Sequence, residues 1–220
     1  MIRSARTFIL AAFVAFSALP ALAGQLNLNA NAIPGFTGTT GFINASPPDF
    51  LVGTVDYAVF APGDFTTAFP ASGYTPTAGQ LVYAYQIIPT DGVNTEFISF
   101  MTVNLNGDAN NISAFELESG NTAPDLSTFT FGPTGVAGEN AEWYFVSGGI
   151  PISGRSYGLV YSSPNIPQML SGNVVNSGLT ASVVPLPVPS PVPVPEPGTI
   201  TLAGLGGLGI LAAAARRRRV

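Results

Sequence analysis

The chain contains no cysteine, no histidine and no lysine among its 220 residues. Without cysteine there is no disulfide framework, no zinc–thiolate site, no thiol nucleophile and no N-terminal cysteine for a lipid anchor. Without histidine there is no Ser-His-Asp triad, no imidazole metal ligand and no imidazole acid–base chemistry near neutral pH. Without lysine there is no Walker-type phosphate loop and no Schiff base. Charge itself is scarce: 9% of residues are charged, against about 25% in an ordinary soluble domain. What is abundant is apolar or turn-forming, with 46% hydrophobic residues, 25 glycines and 20 prolines.

All seven basic residues are therefore arginines, and six stand at the two ends: Arg3, Arg6, Arg216, Arg217, Arg218 and Arg219. Arg3 and Arg6 precede an apolar run from Phe8 to Leu19 and the exit Pro20-Ala21-Leu22-Ala23-Gly24. A positive start, a short apolar stretch and small residues at Ala21 and Ala23 make residues 1–23 a Sec-type signal peptide, cut so that Gly24 becomes the N-terminus. At the other end Thr199 to Ala215 is a 17-residue stretch without charge. As a helix it would reach about 25 Å, near the lower limit for a membrane span. Arg216, Arg217, Arg218 and Arg219 would each cost about 3 kcal/mol at the bilayer centre. They are expected to halt on the cytoplasmic side, leaving the body outside. Seven prolines alternate from Pro185 to Pro197. Proline fixes φ and removes the amide donor, so residues 185–197 are expected to be an extended spacer of about 40 Å that holds the body off the membrane.

Val194-Pro195-Glu196-Pro197-Gly198-Thr199, followed by the apolar segment and the terminal arginines, resembles the tripartite PEP-CTERM sorting signal over residues 194–220. The resemblance implies Sec-dependent export and then processing near Pro-Glu-Pro by exosortase, a membrane-embedded protease. It also implies a Gram-negative-type bacterium that makes exopolysaccharide, biofilm or floc material. Glu196, the only charged residue between Arg155 and Arg216, is then the recognition determinant rather than a solvated linker charge.

Between the two addresses lie residues 24–184, within the range of one domain. They hold eleven acidic residues against Arg155 alone, a net charge of −10 compared with −5 for the whole chain. Such a body has no basic patch for nucleic acid or an anionic surface, and suits cations or neutral glycans. Eight segments rich in β-branched and aromatic residues predict strands: 51–60, 81–88, 97–105, 112–118, 127–131, 142–147, 155–162 and 178–184. Residues 81–88 are apolar on both faces, as a central strand should be. Phe115 and Leu117 alternate with Glu116 and Glu118, as in a half-buried strand. Asp91-Gly92 and Asn106-Gly107 supply turns with positive φ. The expected architecture is all-β: an antiparallel β-sandwich of about eight strands, with a barrel as the competing closure, flanked by a signal helix and a C-terminal transmembrane helix. Residues 24–49, rich in Asn, Gly and Pro, have no assigned fold.

Three chemistries fit this frame to different degrees. Glycoside hydrolysis needs only two carboxyls, and Glu116 and Glu118 would project from one face about 7 Å apart. Two exposed acids on the polar face of a strand explain that spacing, so no catalytic residue is assigned. Asn104, Asn106 and Asp108 lie in an oxygen-rich stretch that suits calcium. Position 12 of an EF-hand count from Asn104 is Phe115, however, and an Asn-Gly hairpin explains the stretch. No cofactor is expected, with calcium the one candidate. Trp143, Tyr144, Tyr83 and Tyr85, with Tyr157 and Tyr161, are candidates for a sugar-stacking platform, set against their use in the core. The reading is a secreted, transiently anchored surface or matrix protein with a structural or adhesive role. Its alternatives are a carbohydrate-binding module and a glycan-degrading enzyme.

Overall fold

The computed structural model describes residues 26–131 and 137–193. Several expectations fall outside the described residues. They are the signal peptide with Ala21, Ala23 and Gly24, the motif Val194–Thr199, the apolar segment after it, and the cytoplasmic stop formed by Arg216, Arg217, Arg218 and Arg219. Among the described residues no helix is long and apolar enough to cross a membrane.

The described residues form ten strands after a 3-10 turn at Leu26–Leu28: β1 (Ala32–Ser46), β2 (Asp49–Phe60), β3 (Leu81–Pro89), β4 (Ile98–Asn104), β5 (Asn110–Phe115), β6 (Leu126–Phe131), β7 (Ala137–Tyr144), β8 (Gly158–Ser163), β9 (Asn165–Asn176) and β10 (Thr180–Pro193). One short helix, α1 (Asp64–Ala68), interrupts the β2–β3 connection. The strands form two five-stranded sheets, β1-β2-β3-β8-β5 and β10-β9-β4-β7-β6, with every named pair antiparallel. The eight expected segments each become a strand, and the all-β class and two-sheet arrangement follow from their alternation.

The core between the sheets is built from alternate residues of both. Val55, Tyr57, Val59, Tyr83, Tyr85, Ile87, Leu159 and Tyr161 face Met101, Val103, Ala141, Trp143, Val174, Val183, Leu186 and Val188. Burying these side chains stabilises the fold by about 1.5–3 kcal/mol for each fully covered aliphatic or aromatic group. β3 is the middle strand of its sheet, and its other face is apolar too. Val82 and Ala84 join Phe60, Val160 and Phe115 beneath Phe65, Phe69 and Tyr74 of the β2–β3 connection. That is why β3 reads as hydrophobic at every position.

Two strands exceed the eight. β1 carries Pro34 and three glycines and lies at a sheet edge, where proline is tolerated. β9 contains Pro167, Gly172 and three asparagines, a composition that argues against a strand on propensity alone. Tertiary packing selects it: a Cβ at position 172 would stand 2.5 Å from the Thr102 carbonyl oxygen, so only glycine lets β9 lie against β4.

The Pro-rich stretch departs most from expectation. Residues 185–193 are not a free spacer; they are the second half of β10, paired with β9 from Leu186↔Leu170 to Pro193↔Asn165. The body therefore runs to 193 rather than 184. Asn106-Gly107 also differs. β4 and β5 lie in different sheets, so the dipeptide serves a crossover and not a hairpin, and Gly107 is not among the positive-φ residues, whereas Gly92 is at +71°. Gly107 is required for space: a Cβ there would collide with Asn165 Nδ2 and the Ser190 carbonyl.

Candidate functional site

Two features carry functional information: the strand that leads into the sorting motif, and the outer face of the sheet that strand belongs to.

In an antiparallel strand successive amides point to opposite sides. Every proline of β10 occupies an odd position: 185, 187, 189, 191 and 193. Leu186 and Val188 keep their amides, and Pro189 stands opposite Pro167 of β9. A pair of prolines can face each other only where neither amide is needed, so within the continuous register from Leu186 to Pro189 the missing donors, those of Pro187 and Pro189, are ones that would point away from β9. Over that stretch the outward edge of β10 presents carbonyls without donors. It is not left bare. Tyr85 Oη donates to the Pro187 carbonyl at 2.5 Å, and Thr40 Oγ1 donates to the Val184 carbonyl at 2.9 Å. Both donors come from the opposite sheet, so hydroxyls stitch the sandwich shut along this edge.

Tyr85 gives its only proton to Pro187, which makes Tyr161 the donor in the 2.9 Å contact between the two phenols. Tyr83 donates to the Asn165 carbonyl at 2.9 Å, where β9 begins. Burial pushes Tyr83, Tyr85 and Tyr161 well above the usual phenol range. These tyrosines and Trp143 are fully buried, and Trp143 Nε1 donates to the Ser113 carbonyl at 3.0 Å. They hold the core and cannot stack on an external sugar, which corrects the expectation for Trp143, Tyr83, Tyr85 and Tyr161.

Tyr144 is different. It projects from the outer face of the second sheet, where the register aligns it with Phe100 of β4 and Leu126 of β6. The Phe100 and Tyr144 rings lie 4.5 Å apart, centroid to centroid. Beside them is an open cleft of about 540 Å³, lined by Glu96, Phe97, Ser99, Phe100, Tyr144 and Val146 among others. Phe97 is 54% exposed and Val146 76%. The next row across the same face is polar: Thr128, Glu142, Thr102 and Asn173. Glu142 accepts from Tyr144 Oη at 2.7 Å and from Thr130 Oγ1 at 3.2 Å. That bond to the carboxylate raises the Tyr144 phenol above its ordinary value, with desolvation adding to the effect. An aromatic ledge bordered by a fixed carboxylate and hydroxyls can cover an apolar ring face while accepting hydroxyl donors. Phe97 and Phe100 were missed from sequence. Phe100 alternates with buried Met101 and Val103, which is its signal; Phe97 has none, because it shares their parity and reaches the surface only through the register shift between Ile98 and Phe100.

The calcium candidates do not converge. Asn104 Nδ2 donates to Ser171 Oγ at 3.0 Å on the outer sheet face, while Asn106 and Asp108 are exposed in the β4–β5 crossover. Among the described residues no group of three or more acidic side chains is placed to hold a metal. Glu116 and Glu118 are exposed beyond the end of β5, alternating with buried Phe115 and Leu117.

This geometry defines a β-sandwich whose last strand is continuous with a C-terminal address. Residues 193–219 match the PEP-CTERM protein-sorting motif, a span that takes in Glu196 and the run Arg216, Arg217, Arg218 and Arg219. The chain thus carries an exosortase-directed export signal with a C-terminal membrane-anchoring segment of the Gram-negative type. The match begins at Pro193, the final residue of β10. No curated protein and no solved structure matches the chain.

Proposed function

We propose that the protein is an exported, exosortase-processed component of the cell surface or extracellular matrix, with a non-catalytic structural and adhesive role among exopolysaccharide. The observation that carries this reading is the sorting motif starting where β10 ends. The described residues form one sandwich joined directly to its address, and cleavage near Glu196 would release that sandwich with all ten strands. The test is Glu196→Ala, followed by pulse labelling of the precursor in the exporting host. Export should continue while an uncleaved form accumulates at the membrane. Unchanged release would remove the assignment.

The cleft beside Phe97, Phe100 and Tyr144 favours a second reading, a carbohydrate-binding module retained by neutral glycan. The net charge of −10 between residues 24 and 184 disfavours anionic polymers. Titration of the sandwich with neutral oligosaccharides should show binding that Tyr144→Ala weakens about tenfold, the loss expected for one stacked ring. Binding that survives Tyr144→Ala and Phe100→Ala unchanged would place the ligand elsewhere.

A further inference from the structure

We infer that the end of the sandwich at which β10 finishes faces the membrane, held close to an anionic bilayer by its short tether while the sorting motif is cleaved, with the opposite end turned outward. The inference rests on the sorting reading, and three observations support it.

The first is reach. Leu186 and Val188 are fully buried, the Ser190 carbonyl is packed against Gly107, and Pro193 is paired with Asn165. Freeing these residues would open the core, so the folded body extends to 193. From Pro193 to Thr199, where the apolar segment starts, there are six residues, which span at most about 20 Å when fully extended. The headgroup layer takes up about 6 Å of that distance. A spacer of about 40 Å would have carried the body beyond electrostatic range. The actual tether leaves its exit end within one or two Debye lengths of the lipid surface, each about 8–10 Å.

The second is charge. Ser163, Leu81, Phe60 and Asn110 share the exit end with Pro193 and Asn165 through the strand register. The connections there include residues 61–80 and 105–109, together with Pro164. In the stretches 105–109 and 75–80 the only charged residue is Asp108, and Asp64 belongs to α1 over the outer face of the first sheet. Glu139 lies within β7 toward this end. The opposite end carries Asp49, Asp91, Glu96, Glu116, Glu118 and Asp125, with Arg155. Acid is thus concentrated away from the end that must approach lipid. The reverse orientation would bring six carboxylates to an anionic surface.

The third is rigidity. Ser163 Oγ donates to the Asp108 carbonyl at 2.5 Å and Asn165 N donates to Ser163 Oγ at 3.1 Å. Tyr74 Oη donates to the Asn111 carbonyl at 2.9 Å and Asn111 Nδ2 to the Thr75 carbonyl at 2.5 Å. The exit end is cross-linked, so it meets the bilayer as a fixed surface.

The experiment compares two triple variants of equal net charge in the exporting host. Thr77→Glu, Ala78→Glu and Asn106→Glu load the exit end; Val93→Glu, Ala123→Glu and Ser153→Glu load the opposite end. The exit-end triple should be cleaved more slowly, by up to about fivefold per added charge at an anionic surface. The opposite-end triple should be cleaved at the wild-type rate. A flexible Gly-Ser spacer of about 20 residues between Pro193 and Val194, averaging about 25 Å, should restore the exit-end triple. Equal rates for the two triples would overturn the inference.

A second readout is independent of cleavage. Because the chain has no cysteine, Asn106→Cys and Ala123→Cys each give a single labelling site. In full-length chain reconstituted into phosphatidylglycerol-containing vesicles, headgroup spin labels should quench a fluorophore at 106 and spare one at 123. Equal quenching would again overturn the membrane-facing orientation, and normal cleavage of Glu196→Ala would instead remove the sorting assignment beneath it.

Discussion

The two sheets of this sandwich present opposite outer faces. On the first, Phe60, Val82, Ala84, Val160 and Phe115 are covered by Phe65, Phe69 and Tyr74. The rings of Phe60, Phe69, Tyr74 and Phe115 all lie within 5.1–5.7 Å of a neighbour in that cluster. On the second, Thr102, Thr128, Glu142 and Asn173 line up across four strands as a polar row, Glu142 buried and the other three half-buried. The first sheet therefore has a core on both sides and the second on one. A strand's place in such a fold is set by how many of its faces are apolar. The sheet covered on one side only is the one that carries the Phe100–Tyr144 ledge.

Substitution can break this contrast. The largest effect is expected at Phe65, which is fully buried and packs edge-on against Phe60, Tyr74 and Phe115. Phe65→Ala should cost about 3–5 kcal/mol in urea unfolding through the cavity it leaves. Thr102→Ala, on the free face, should stay within about 0.5 kcal/mol. If the two variants unfold alike, the aromatic cover is not a core. Next is Tyr85→Phe, which keeps the ring but strands the Pro187 carbonyl and the Tyr161 hydroxyl. A loss of about 1–3 kcal/mol is expected, with faster hydrogen exchange at Leu186 and Val188 than elsewhere. Uniform exchange would show that the hydroxyl does not hold β10.

The smallest effect is a pH response. Asp56 is buried on β2, and desolvation raises its carboxyl above the usual value, opposed by the 2.6 Å bond from Thr39 Oγ1 and by the charge of Arg155. A raised value means that the folded state binds the proton more readily. The ionised form therefore weakens the fold at neutral pH. Stability should rise as pH falls through the folded value, and the gain should be complete below the unfolded value of about 3.9. Asp56→Asn should abolish that slope in thermal unfolding scans from pH 7 to 4.

Most strands were legible because they obey a local rule. The doubly apolar run from Leu81 to Ile88 states without reference to any partner that both faces of β3 are buried, whereas the alternation at Phe115, Glu116, Leu117 and Glu118 gives the burial correctly but not the strand, since β5 ends at Phe115. β9 obeys no such rule. Gly172 is needed only because the Thr102 carbonyl lies against it, a contact between residues far apart along the chain. The aromatic candidates failed for a related reason. Tyr83, Tyr85, Trp143 and Tyr144 have the same chemistry in sequence, and only the phase of each strand relative to the opposing sheet assigns three to the core and one to the surface.

Proline shows the division most clearly. The sequence by itself determined that residues 185–193 are extended, since a ring-locked φ permits little else, and that an address of defined chemistry follows them. Whether that extended segment stands in solvent or lies in a sheet depends on amides and carbonyls contributed from elsewhere. Only the tertiary structure decided it, by placing β9 alongside one edge and the hydroxyls of Thr40 and Tyr85 on the other. A backbone conformation is a local property of the residue, whereas a hydrogen-bond partner belongs to the assembled fold.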